Sequence, residues 1–516
     1  MATQSISSNI DRRPELRARP SPLPVCLVIL VSFAVRLVNL EDRSPHYDEI
    51  VSMLFGAMPL DHMVYGTAAD TMPPLYYSLL HFWLLPGDGL FYARFLSLAF
   101  GALSIAVLYS IGKFLFGTKA SFLACAVASL SPFHVFYSQE IRMYTTLSLL
   151  GLAAVYFFLR WWYEGKRAWW LAYTLSTAIS MYVHNLAFVS ILSVDLLGFA
   201  LIMMRRPFDL KRRIYLMAVT HLMVFTLYLP WLLYLPQQLA KVQRAFWIER
   251  PGPAEVARSV MVYHFNLPTP SWLLPALLFV SVLLSAFTAY GIYKLLTKGA
   301  REERDRLVAG VVLWLAPIII MLAVSQIRPI YVERAVIVSA FFYYLLLSVA
   351  FLSLPRRWLQ GLVLALFVPL LLFSLVYHYS YREFPRSPFR ELASYLSGVV
   401  EEKGFVLHDN KLSYFSTHYY NRGLPQGFIA DPPGSPNDTL APQTMEVFDT
   451  WPVDQAEIAS ANKRVWYVVF DRALKEAEQV GREYPNKLWL DQRYEMIQEG
   501  AIGDMHLYLY DTGHPK

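Results

Sequence analysis

Charged residues are scarce: only 16% of the 516 residues are Asp, Glu, Lys or Arg, against about 25% in ordinary soluble domains. Cysteine is scarcer still. The two present, Cys26 and Cys125, both lie in apolar runs, which excludes a disulfide scaffold. The 24 glycines follow no collagen-like period, no tract is low in complexity, and no repeat is evident. What replaces charge is hydrocarbon. Hydrophobic residues make up 56% of the chain, grouped in blocks of about twenty, the length that crosses a hydrocarbon core of roughly 30 Å. The chain therefore reads as a polytopic membrane protein, and disorder is excluded with the rest.

Eleven spans are expected, at 24–40, 93–111, 120–137, 145–162, 169–183, 186–203, 214–235, 271–293, 307–325, 335–354 and 358–378. The net charge of +6 could suggest nucleic acid until the basic residues are placed. Arg12, Arg13, Arg17 and Arg19 precede the first span, Arg205, Arg206, Lys211, Arg212 and Arg213 follow the sixth, and Lys113, Lys119, Lys166, Arg301, Arg304, Arg356 and Arg357 fall in gaps on the same side. The positive-inside rule makes that side cytoplasmic. No small-residue cleavage site follows the first apolar run before Glu41, Asp42 and Arg43, so it reads as a retained span. Residues 1–23 then form a basic cytoplasmic tail, 24–379 the membrane domain, and 380–516 an extracytoplasmic soluble domain. That last part has no spanning run; its short apolar runs at 404–409, 464–471 and 505–511 read as strands, with helical periodicity at 388–402 and 472–483 and a loop at 423–442. The fold class expected is an all-α polytopic membrane domain followed by a small soluble α/β domain. The outer loop 41–92 has apolar residues at helical spacing after Asp48 and Glu49 and again after Pro73 and Pro74, as two short interfacial helices would.

Four outer turns carry ionisable or polar groups: His46, Tyr47, Asp48 and Glu49; then Tyr137, Ser138, Gln139, Glu140, Arg142 and Tyr144; then His184 and Asn185; then Glu333 and Arg334. Each has an ordinary reading, as acids at a helix start, an ion pair closing a turn, or a polar residue at the end of a span. Four turns at one membrane depth make a site the stronger reading.

The segments SPHYDEIVSM (44–53), MPPLYYSLLHFW (72–83), SPFHVFYSQEIRMY (131–144), MYVHN (181–185) and YVERAVIVSAF (331–341) resemble bacterial family 39 glycosyltransferases, relatives of protein O-mannosyltransferases and aminoarabinose transferases in the GT-C superfamily. Many of those relatives carry His where this chain has Met72 and Ala where it has Ile141. The resemblance implies a GT-C membrane domain that moves a hexosyl or pentosyl group from a polyprenyl phosphate donor to a lipid, glycan or protein acceptor on the outer face of a bacterial inner membrane. It implies inversion, with Asp48 as base, Glu49 orienting acceptor or base, and Glu140 holding the acceptor or a divalent cation. Arg142, His184 and Arg334 are the candidates to neutralise the departing phosphate, and His46, Tyr47, Tyr137, Tyr144 and Asn185 to line the substrates. Carboxylates such as Asp48 and Glu140 with a histidine suit a hard divalent cation, although their spacing is no ligand signature. No other cofactor is implied. A transporter or lipid flippase is the rival reading, since charges within a membrane can line a translocation path; such proteins place them near the midplane and often show a repeat.

Overall fold

The computed structural model describes residues 23–205, 209–244, 248, 250–401, 404–431 and 442–516. The expected basic tail, Arg206 and most of the expected 423–442 loop lie outside the described residues. Helices in chain order are α1 Leu23–Leu37, α2 Tyr47–Ala57, α3 Leu60–Ala69, α4 Leu75–Leu84, α5 Leu90–Phe116, α6 Thr118–Leu130, α7 Pro132–Ser138, α8 Tyr144–Glu164, α9 Arg167–Val183, α10 Ala187–Arg205, α11 Leu210–Leu232, α12 Leu235–Arg244 and α13 Pro253–Phe265. They continue with α14 Leu274–Lys298, α15 Arg301–Ile327, α16 Ile337–Leu352, entered through a 3-10 turn at Glu333–Val336, and α17 Arg357–Ser380. Each of the eleven expected spans coincides with one of these helices or, at 120–137, with the pair α6 and α7. Among the described residues eight helices are long and apolar enough to cross a membrane, or nine if α6 and α7, bent by 61°, are counted as one span. The chain is a multi-pass membrane protein whose spanning part is all helical.

The bend has a local cause. Ser131 caps α7 and Pro132 occupies its first turn, where a missing N–H costs nothing. Gly117, at φ 85°, closes α5 in a conformation that favours glycine. Gly101 in α5 faces α7 so closely that a Cβ there would stand 2.3 Å from Ser138 Oγ. Glycine therefore lets the turn after α7 sit against α5. The core centres on α16, whose residues Ser339 to Leu346 are all buried, so that it is apolar all round, as a helix inside a bundle must be.

Loop 41–92 holds three helices, α2, α3 and α4, where two interfacial ones were expected. Phe55, Met63, Tyr76, Tyr77 and Leu80 are buried in the main core, and Tyr76 bonds to Ser97 of α5 at 3.0 Å. These helices pack inward because their apolar faces meet protein.

The tail contains a five-stranded sheet, β1 Gly404–His408, β2 Gln426–Phe428, β3 Arg464–Phe470, β4 Glu495–Ile502 and β5 Met505–Asp511, in the order β2-β1-β3-β5-β4. β1 runs parallel to β2 and β3, and β5 antiparallel to β3 and β4. Its helices are α18 Phe389–Val399, α19 Lys411–Tyr420, α20 Pro442–Phe448, α21 Gln455–Ala461, α22 Asp471–Gln479 and α23 Pro485–Arg493. Alternate residues of β3 serve two cores: Trp466 and Val468 pack with Phe389, Leu392 and Leu396 of α18, and Tyr467 and Val469 with Leu490 of α23. Both faces are covered, so β3 is a continuous apolar run. The tail also packs on loop 41–92, where Phe415, Phe428 and Met445 form one cluster with Ile50 of α2.

Candidate active site

Asp48 and Glu49 stand in the first turn of α2, where the exposed N–H groups and the helix dipole favour negative charge. Successive helical residues point about 100° apart, and these two acids have different neighbours. Glu49 turns inward. Arg94 of α5 grips it from Nε to Oε1 at 2.8 Å and from Nη2 to Oε2 at 2.7 Å, and the Ile141 amide donates to Oε1 at 3.1 Å. Arg94 also donates to the carbonyls of Leu40 and Arg43. Despite burial, these donors and His46 hold Glu49 far below the ordinary carboxylate range. Its lone pairs are committed to fastening α2 to α5 and the 139–143 turn. The expectation was that Glu49 orients acceptor or base; in the structure its oxygens are bonded to Arg94 and to the Ile141 amide.

Asp48 lies among cations. Burial alone would raise its pKa, but Arg142, His46, Arg334 and Lys411 bring it down to about 2. Arg142 and Arg334 flank the Tyr144 ring, their guanidinium carbons 6.0 and 5.6 Å from its centroid. Tyr137 meets the same ring edge-on at 5.0 Å. Arg142 is 7% exposed, its Nη1 reaches the Asp48 carbonyl at 3.5 Å, and its Nε has no partner among the described residues. Asp48, Arg142, Arg334, Tyr137 and Tyr144 are thus brought together as the sequence suggests.

His46 lies between two acids, Nδ1 3.4 Å from Glu49 and Nε2 3.4 Å from Glu140. Burial opposes its charge, yet Glu140 and Glu49 raise it to about 10, so it is an imidazolium at neutral pH. Glu140 faces this cation. Gln139 is buried and spans the turn, donating to the carbonyls of Arg36 and Val38 and accepting from Arg43.

His184 departs from expectation. It packs near Tyr144, ring centroids 6.1 Å apart, but burial and the nearby Arg142 and Arg334 push its pKa down to about 3. Its Nδ1 accepts from the Leu186 amide at 3.0 Å, which leaves the proton on Nε2. It is a neutral donor and not a cation for phosphate. Asn185 also departs: it donates to the Thr71 carbonyl and to Gln238 and accepts from Tyr228, so it ties the 70–74 loop to α11 and α12 and has no donor left for a substrate.

The donor set does not fit a metal. Among the described residues no three of His, Cys, Asp and Glu gather to hold one. Asp48 is surrounded by cations, and Glu140 faces the His46 imidazolium.

Sequence reasoning missed Arg94, whose signal was available as a charge inside an expected span. It also missed Lys411, which leaves no signal near the other motifs. Lys411 caps the tail's approach, its ammonium 5.0 Å from the Tyr47 ring centroid, and Tyr47 meets Phe415 edge-on at 5.4 Å. The tail therefore roofs the amino end of α2.

The cluster of cations and carboxylates thus sits at one end of a polytopic helical scaffold, and comparisons with known proteins bear on that scaffold. Residues 71–233 match the family model described as dolichyl-phosphate-mannose-protein mannosyltransferase. No curated protein matches the chain. Among solved structures, ArnT from Cupriavidus metallidurans in the apo state matches with a TM-score of 0.59 at 13% identity, covering 94% of this chain and 97% of that one. The same protein bound to undecaprenyl phosphate gives 0.58 at 12%, covering 95% and 98%. The oligosaccharyltransferase AglB from Archaeoglobus fulgidus, with an inhibitory peptide and a dolichol-phosphate, gives 0.54 at 11%, covering 92% and 72%. The fold, tail included, is ArnT-like.

Proposed function

We propose that this protein is a membrane glycosyltransferase that moves a hexosyl or pentosyl group from a polyprenyl phosphate donor to an acceptor on the outer face, with inversion and with Asp48 as base. The observation that carries the reading is the ionised Asp48 carboxylate set among Arg142, Arg334 and Lys411. It is supported by the structures of ArnT with undecaprenyl phosphate and of AglB with a dolichol-phosphate and a peptide. The acceptor hydroxyl oxygen attacks the anomeric carbon while its proton passes to Asp48, and the bond from that carbon to the phosphate oxygen breaks toward the lipid. The phosphate gains a second negative charge as it leaves. Arg142, Arg334 and Lys411 bind that charge more strongly than the ground state, and this difference accelerates the step. A phosphate leaving group, with its second pKa near roughly 6, needs no acid partner, in contrast to the alkoxide that makes a glycosidase use two carboxylates. The low basicity of Asp48 fits as well. A bound donor phosphate takes up the cations that depress it, so base strength returns when substrate is in place.

The reading places the protein in a bacterial inner membrane, with residues 1–23 cytoplasmic, 24–379 as the membrane domain and 380–516 outside. The transporter reading is weaker, because the charged groups gather at one end of the bundle under the tail. Purified full-length protein in detergent, given a short-chain polyprenyl phosphate sugar and no gradient, should release polyprenyl phosphate. Asp48→Asn should slow that release by roughly 10² to 10⁴. No release under any acceptor, or parent rates in Asp48→Asn, would refute the reading.

A further inference from the structure

Beside the His46 and Glu140 pair lies a small cleft, with a volume of about 20 Å³, lined by Arg43, Arg94 and Arg386 as well as by His46, Glu49 and Glu140. Two of its guanidinium groups converge on one histidine. Arg43 Nη2 donates to the His378 carbonyl at 3.0 Å, and Arg386 Nη1 to the same oxygen at 2.5 Å. On the ring, Arg43 Nη1 and Arg386 Nη2 each stand 3.3 Å from Nε2, and Arg386 Nη1 stands 3.1 Å from Nδ1. A neutral imidazole offers one acceptor nitrogen; Arg43 Nη1 has a nearer acceptor in Gln139 Oε1 at 3.0 Å, while the two Arg386 nitrogens at the ring share that single acceptor. Arg43 Nε is buried with no partner at all among the described residues.

Charge is equally unbalanced. The two carboxylates on the cleft already have partners, Glu49 in Arg94 and Glu140 in His46. Arg43 and Arg386 form no ion pair among the described residues. Burial and the nearby Arg94 bring Arg43 down to about 10, and burial and Arg43 bring Arg386 down too. Two arginines are thus held together at the edge of the cleft, and one buried N–H, that of Arg43 Nε, has no acceptor among the described residues. The planar fork of arginine matches phosphate and carboxylate oxygens.

We propose that the cleft between Arg43 and Arg386 is a second anion site, which holds a phosphate or carboxylate group distinct from the donor phosphate beside Asp48. That distinction rests on the function proposed above. The anion belongs either to the acceptor or to an anionic lipid headgroup, and both present the same oxygens to the two forks.

Arginine labelling with phenylglyoxal, read by mass spectrometry on the full-length protein in maltoside micelles, tests this without any sugar transfer, so a failed transferase reading leaves the result interpretable. Inorganic phosphate should protect Arg43 and Arg386 from labelling saturably, and should still do so in a chain carrying Arg142→Lys and Arg334→Lys. Phosphate binding by calorimetry should weaken at least tenfold in Arg43→Gln with Arg386→Gln. The labelling arm needs no variant at the site and stands if that pair fails to fold. Added phosphatidylglycerol that protects both arginines supports a lipid headgroup as the source; protection by phosphate alone supports an acceptor group. Equal labelling with and without phosphate, or protection lost in the Arg142→Lys and Arg334→Lys chain, would overturn the proposal.

Discussion

Arg94 and Glu49 meet fork to fork, at 2.8 and 2.7 Å, with both residues only 3% exposed. Removing one partner of such a pair leaves a buried charge uncompensated, at about 3–5 kcal/mol. Glu49→Gln should therefore lower the temperature at which the purified protein loses monodispersity, and Glu49→Met with Arg94→Met should recover part of the loss. A Glu49→Gln chain as heat-resistant as the parent would show that the pair does not hold α2 in place.

The cations around Asp48 should act on the rate more than on binding. Arg142→Lys keeps the charge and loses the fork, so turnover of a short-chain donor should fall while donor affinity changes less, and Arg334→Lys should behave alike. Lys411→Met should cost roughly tenfold in turnover, about 1.4 kcal/mol, with Lys411→Arg restoring much of it. Parent turnover in all three would remove them from the leaving-group site.

Stability should peak near neutral pH, with a different histidine behind each limb. His46 is raised to about 10 in the fold, so its contribution is complete below the unfolded value of about 6.5 and is lost as pH rises through 10. His184 is lowered to about 3, so its contribution is complete above about 6.5 and is lost as pH falls toward 3. Thermal inactivation followed from pH 4 to pH 10 should then show a flatter alkaline limb in His46→Gln and a flatter acid limb in His184→Gln. Unchanged limbs would mean that neither histidine's protonation is linked to folding.

The basic gaps and the eleven expected spans lead us to propose that the carboxyl-terminal tail lies outside the cytoplasm. A reporter active only outside the cytoplasm, fused after Lys516, should be active. Activity of a cytoplasm-only reporter there would invert the topology.

The helical scaffold was legible because each span is a long apolar block; the eleven expected positions match helices even where α6 and α7 bend. β1, β3 and β5 were legible for a related reason, since they are apolar on both faces. β4 was not: it is an edge strand whose residues Glu495 to Ala501 are all exposed, so it carries no inward pattern, and β2, at three residues, is too short to show one. In the site, residue types could be read but their directions could not. Asp48 and Glu49 look equivalent as neighbours, and only Arg94, placed by the packing of α5, separates a committed acid from one among cations. His184 reads as a cation until burial beside two arginines reverses it.

Lys411 belongs to the last quarter of the chain, yet it stands over Tyr47 and helps set the charge of Asp48. The amino-terminal half alone thus holds the base without the full complement of cations beside it. On the function proposed above, a chain still emerging during synthesis would work well below its full rate until residue 411 had been made and folded onto α2, so the last increment of activity would arrive only near the end of biogenesis.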